Sequence, residues 1–223
     1  MKPILRQTSG PDDWKVFLAE PDKQWRPGYS AHSLAHCWEA AGGLPASVRG
    51  LFQASERFRD FELLVAIPEL QVPLPGGHRP SQTDLWLLGR LPDGLVSVAV
   101  EGKVSEPFGP TIAEWQTDAS AGKVERLAYL FDTLHMQPPV APELRYQLLH
   151  RTASALLMAR RFHARHAVML VHSFSPTHEW INDYRVFATA LGGTGSLDGL
   201  IAIPGHDGPT LSLAWVADKV ANA

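Results

Sequence analysis

Apolar and polar positions divide the chain into segments of different period. Leu34, Cys37, Trp38 and Ala41 recur at helical spacing, which predicts a helix over Ala31 to Ala41 capped by Ser30 and stopped by Gly42 and Gly43. His32, His36 and Glu39 fall on roughly the opposite face, at i, i+4 and i+7. Upstream, Ser9 to Asp13 reads as a helix start leading through Trp14 to Leu18, and residues 21–30 read as a loop. A shorter helical stretch, Ser47 to Ser55, follows. Residues 61–72, FELLVAIPELQV, read as a strand in which Pro68 marks an edge or a bulge. Thr83 to Arg90 and Leu95 to Val104 read as two more strands, joined by the turn Leu91-Pro92-Asp93-Gly94. Residues 111–137 are mainly helical, and Pro142 opens a helix running to about His163. Ala167 to Val171 is wholly apolar, which suits a strand buried on both sheet faces. Ser175 and Pro176 start another helix, ended by Gly192 and Gly193, and Leu200 to Pro204 with Thr210 to Val216 form a closing hairpin.

That order predicts an α/β fold: a mixed central sheet with flanking helices, built on helix, three strands, helix, strand, with N- and C-terminal additions. The 223 residues show no internal repeat and read as a single domain, with residues 30–172 as the core and 173–223 as an added helix and β-hairpin. Hydrophobic residues make up 45% of the chain, enough for a large core. The formal charge of −3 excludes a constitutive nucleic-acid coat protein, so any such binding falls to a local patch. The single cysteine, Cys37, excludes a disulfide framework and a Cys-rich zinc module. No apolar run approaches the ~20 residues needed to span a bilayer. The first residues, MKPILRQTSGPDDW, lack the apolar region of a signal peptide. The expectation is a cytoplasmic protein with no membrane partner.

The chemistry concentrates in residues 80–103, PSQTDLWLLGRLPDGLVSVAVEGK. If the Pro92-Asp93 turn closes a tight hairpin, residue 84 sits directly opposite residue 101, with β-carbons roughly 5 Å apart on one face. A one-residue bulge at Gly94 would shift that register. Like charges so close are destabilising, so a cation must offset Asp84 and Glu101. Lys103 lies two residues from Glu101 and shares its face. A divalent cation is the other candidate, since paired carboxylates suit magnesium.

Asp84 followed by Glu101-x-Lys103 at the end of an apolar strand resembles the PD-(D/E)xK nuclease superfamily, the restriction-endonuclease-like fold. Thr83 stands where that family usually has proline. The resemblance implies metal-assisted phosphodiester hydrolysis, with Asp84, Glu101 and Lys103 catalytic. Asp84 and Glu101 would hold magnesium, with manganese as substitute, and Lys103 would position water or stabilise developing charge. In the first core helix it implies Glu39 as a further metal ligand. In the second it implies Gln147, Arg151 and Arg145 as phosphate contacts. Residues 145–166 carry five arginines and no acid, a candidate backbone-contacting patch. The implied partner is nucleic acid, DNA in preference to RNA, and a homodimer is the candidate assembly for cutting two strands. Two other readings stay open. One is a catalytically inactive interaction module on the same fold, in which the three residues form a structural ion cluster. The other is a zinc hydrolase using His32 and His36, although HSLAH lacks the glutamate of HExxH.

Overall fold

The computed structural model describes residues 8–219, so the first seven residues of the stretch read for a signal peptide lie outside the described part. Six strands form one sheet: β1 (Glu62–Val72), β2 (Ser81–Leu91), β3 (Gly94–Lys103), β4 (His166–Ser173), β5 (Ile201–Ile203) and β6 (Thr210–Ala217). Their order across the sheet is β1-β2-β3-β4-β6-β5. β1 to β3 form an antiparallel meander, β4 runs parallel to β3, β6 runs parallel to β4, and β5 closes antiparallel on β6. The helices are a 3-10 helix (Pro11–Phe17), α1 (Pro21–Gln24), α2 (Ser30–Ala41), α3 (Ala46–Ala54), α4 (Ile112–Gln116), α5 (Ala121–Thr133), α6 (Tyr146–Arg161) and α7 (Ile181–Ala190). The fold is mixed α/β, as the pattern predicts, with α3 between α2 and β1 and α4 and α5 between β3 and α6.

Two large cores sandwich the sheet, and a smaller cluster of Ile67, Leu70, Val72, Trp86 and Met158 packs at the β1–β2 end. Leu34, Trp38 and Phe52 pack on Leu85, Leu87, Val98, Val100 and Leu170. On the other face Leu130, Leu149, Leu156 and Phe187 pack on Ala99, Met169, Leu213 and Trp215. Alternate residues of β3 thus serve alternate cores. All eight residues of β4 are buried, which is why its sequence shows no polar alternation. Pro68 sits on the edge strand β1, where its missing donor does least harm, and a register shift lies between Leu63 and Val65.

The structure departs from the expected boundaries where tertiary contacts override local preference. α6 starts at Tyr146, not Pro142. The carbonyls of Pro142 and Leu144 accept from Ala113 and Ile112, Leu144 N–H closes a turn on Ala141, and Thr111 bridges Arg145, so residues 142–145 are held in a turn outside the helix. α7 starts at Ile181, because the Ser175 hydroxyl accepts from the Glu179 amide in a turn that precedes it. The N-cap of α2 is Tyr29 rather than Ser30, and the Ser30 amide donates to Glu106 instead. The first helix is of the 3-10 type, and the loop expected over residues 21–30 contains α1. β6 pairs with β4 from His166↔Thr210 to Ser173↔Ala217, so the C-terminal segment completes the central sheet. Among the described residues no helix is long and apolar enough to cross a membrane.

Candidate active site

β2 and β3 pair without a bulge from Leu85↔Val100 to Leu91↔Gly94, and the same register carries Asp84 to Glu101. In the β1–β2 ladder Pro68 meets Leu85 and Leu70 meets Thr83, which sets Glu69 against Asp84. Three carboxylates, Glu69, Asp84 and Glu101, therefore run in a row across three neighbouring strands. Such a row is repulsive unless cations offset it. Lys103 Nζ donates to Glu101 Oε1 at 2.6 Å, and Arg151 Nε, from α6, donates to Glu101 Oε2 at 2.5 Å. Arg151 Nη1 also donates to the Ser81 hydroxyl at 3.2 Å, and its Nη2 lies 3.5 Å from Asp84 Oδ1. The Gly102 amide donates to Asp84 Oδ2 at 2.9 Å, and Gln82 Nε2 donates to Glu69 Oε2 at 2.8 Å. Glu69 has φ 50°, in the left-handed region, and residues 67–70 are all buried, so the strand's alternation breaks where this acid sits.

Burial raises the proton affinity of these acids and the cations lower it, with a different balance at each. Burial and then the charge of Glu101 push Asp84 up to about 7. Burial, followed by Asp84, raises Glu69 well above the usual glutamate range. Burial also opposes ionisation of Glu101, but Arg151 and Lys103 outweigh it and hold its pKa below the ordinary value. Glu101 is thus the member held most firmly ionised, Asp84 titrates near neutrality, and Glu69 is displaced toward its protonated form. Burial, then Arg151, lowers His150 well below the usual histidine range, so it is neutral.

The acids open on a cleft of about 680 Å³. Tyr29 and Ser30 line one side of it, Tyr146, Gln147 and Arg151 another, and Arg79 and Pro80 belong to the β1–β2 connection. Glu106, also in the cleft, accepts from the amides of Ser30, Val104 and Ser105 at 2.9, 3.2 and 3.0 Å. The positive end of α2 is therefore met by the chain's own carboxylate.

A family model described as a domain of unknown function, DUF6946, matches residues 7–220. The chain belongs to that family. No curated protein and no solved structure matches it. The DUF6946 match spans the acid row, Arg151 and β6 alike, so the cleft and the whole sheet fall within it.

Of the residues singled out from sequence, the fold brings Asp84, Glu101, Lys103 and Arg151 together, and Gln147 lines the same cleft with its Oε1 buried and unpartnered. Arg151 is not a free phosphate contact, because its guanidinium is taken up by Glu101, Ser81 and Asp84. Glu39 does not join the acids. Its Oε1 accepts from Thr8 Oγ1 at 2.6 Å and from Trp14 Nε1 at 2.7 Å, fastening the 3-10 helix to α2. Arg145 pairs with Asp183 at 2.7 Å, donates to the Gly109 carbonyl and lies over the Trp180 ring. Arg165 lies 3.7 Å from Asp93, and Arg160 and Arg161 occupy the last turn of α6, about 14 Å along the axis from Arg151. The arginine-rich segment thus forms no single basic face. Glu69 and Glu106 were not singled out from sequence. A lone acid after proline in an apolar strand was the available signal for Glu69, but its facing depends on the register with β2.

His32 and His36 stack at 4.1 Å beside Trp25, and among the described residues no third metal-binding side chain joins them. One group of three does gather: Cys37, His172 and Asp218 have ligand atoms within 4.8 Å of one another. Its hydrogen bonds are complete without a metal. The Trp38 indole, a donor only, gives its N–H to His172 Nδ1 at 3.1 Å. Burial keeps His172 neutral, so Nε2 carries the proton and donates it to Asp218 Oδ2 at 3.0 Å. Burial and then Asp218 push the Cys37 thiol up to about 12, and Ser47 donates to the same carboxylate at 2.6 Å. The group is a hydrogen-bond hub that ties the end of β6 to α2 and α3.

Proposed function

We propose that this protein hydrolyses phosphodiester bonds in nucleic acid at the Asp84–Glu101–Lys103 cluster, using magnesium or, as substitute, manganese. The observation that carries the reading is the carboxylate row with Lys103 at its end, at the edge of a cleft large enough for a nucleotide. DNA is preferred to RNA on the family resemblance alone. The donor set fits a hard divalent cation. Three acids face two cations, and the Arg151 nitrogen nearest Asp84 Oδ1 is at 3.5 Å, beyond a good hydrogen bond. Asp84 and Glu101 would hold the ion with water completing its shell, an arrangement magnesium favours, and Glu69 stands beside them. The bound ion would lower the pKa of a water and neutralise charge on the phosphate. Lys103, held by Glu101, supplies a fixed positive charge for the developing negative charge. Gln147 offers its unpartnered Oε1 to a water or a sugar hydroxyl.

The test is calorimetric titration of magnesium and manganese into wild type and Glu101→Ala, paired with a cleavage assay on labelled DNA. Saturable binding lost in the variant, with metal-dependent cleavage by wild type, is expected. A wild type that neither binds metal nor cleaves in its presence overturns the reading.

A second reading has its own support. Both Glu101 oxygens are occupied by Lys103 and Arg151, so that carboxylate is already neutralised by the chain's own cations. That favours an interaction module in which the guanidinium has taken a cation's place. Metal binding that appears only in Arg151→Met would select it.

A further inference from the structure

This inference rests on the hydrolase reading. Residues 73–80, PLPGGHRP, connect β1 to β2 and reach the cleft through Arg79 and Pro80. Connections of this kind are ordinarily mobile. Here Arg126 of α5, only 6% exposed, holds the loop from beneath. Its Nε donates to the Pro75 carbonyl at 2.8 Å, and its Nη2 to those of Leu74 and Gly77 at 3.3 and 3.2 Å. Burying a guanidinium is costly unless its donors are satisfied, and these carbonyls take three of its five. Backbone packs directly on backbone beside it: a Cβ on Gly76, where φ is 76°, would lie 2.1 Å from the Gly122 carbonyl oxygen. The loop is therefore fixed through Gly77, and Arg79 lies between that anchor and the start of β2 at Ser81.

Arg79 differs from the other cleft cations. Lys103 and Arg151 both hold Glu101. Arg79 is exposed and, among the described residues, has no hydrogen bond or close ion pair, although its charge acts on Glu20 nearby. Glu20, an acid of the same cleft, is already paired with Lys23. An exposed guanidinium at a cleft whose other cations are tied to its acids is a ready bidentate partner for phosphate.

We propose that Arg79 binds a phosphate of the nucleic-acid substrate flanking the scissile one, and that Arg126 is the positioning residue that presets the loop carrying it. The experiment measures binding of a hydrolysis-resistant phosphorothioate DNA oligonucleotide to wild type, Arg79→Ala, Arg126→Gln and the double variant, across a salt series with magnesium present. Arg79→Ala should weaken binding about tenfold. It should also reduce the slope of log affinity against log salt by about 0.7 to 0.9, the loss of one phosphate contact. Arg126→Gln should weaken binding while the double variant is no weaker than Arg79→Ala, because the two act through one contact. Should Arg126→Gln lose cooperative unfolding, Arg126→Lys takes its place in the cycle. Metal titration should be unchanged in Arg79→Ala. A wild-type salt slope in Arg79→Ala overturns this inference and leaves the hydrolase reading standing. Fully additive losses in the double variant overturn the role of Arg126. An oligonucleotide that wild type does not bind overturns both readings together.

Discussion

At the scale of single residues, the acid row is a set of unlike carboxylates made from like ones. Glu101 is buried but gripped by two cations, Asp84 is half-buried and meets Arg151 only at 3.5 Å, and Glu69 is buried beside Asp84 and accepts from Gln82. The pH dependence of stability follows. An unfolded aspartate loses its proton near pH 4, whereas folded Asp84 holds it up to about 7. Between those values the folded chain binds more protons than the unfolded one, so the contribution of Asp84 falls as pH rises through that window. Glu101 has the opposite sign: its contribution is present above the usual glutamate range and is lost as pH falls below it. Asp84→Asn should therefore gain stability relative to wild type from pH 4 to pH 7, read by urea unfolding at each pH. A constant difference across the series would contradict the raised affinity of Asp84. The residue types of the cluster were visible in the sequence. Their protonation was not, because it depends on burial and on Arg151, which comes from an element 50 residues beyond Glu101.

At the scale of elements, turn chemistry and tertiary contact divide the decisions. Pro92-Asp93-Gly94 fixes the hairpin locally, and the register that sets Asp84 beside Glu101 follows from it. The start of α6 is a counter-example: Pro142 is a good first helical residue, yet hydrogen bonds to the segment Thr111–Ala113 hold residues 142–145 in a turn and bridge outside the helix. The loop over residues 73–80 is legible as a loop from its prolines and glycines, but its anchoring on α5 is not. Gly122 faces that contact, and a Cβ there would lie 2.6 Å from the Gly76 carbonyl oxygen. Gly122→Ala should cost about 1–3 kcal/mol by overpacking, despite the gain in helix propensity that alanine brings. A thermal unfolding curve equal to or above that of wild type would show that the loop can move away without loss.

At the scale of the whole molecule, the sheet joins the two halves of the chain through parallel pairs. β4, buried along its full length, needs β3 on one side and β6 on the other, and β6 is 37 residues further on in sequence than the end of β4. A chain ending at Ser173 would leave that edge open and remove Leu213, Trp215 and the Asp218 hub. Circular dichroism and gel filtration of such a chain should show loss of cooperative unfolding and association through the exposed edge. A monomeric, cooperatively unfolding fragment would show instead that residues 30–172 are a sufficient core.

The sequence by itself determined the alternating patterns, the α/β class, the β2–β3 hairpin and the pairing of Asp84 with Glu101, because each depends on residues near one another in the chain. The tertiary structure alone decided which charges meet. It placed Glu69 in the row through the β1 register, gave Arg151 to Glu101 rather than to solvent, and drew Glu39 and Arg145 into other bonds. The physical reason is range: backbone preference acts over a few residues, whereas burial and Coulomb attraction act on whatever the packing of distant segments brings within a few ångströms.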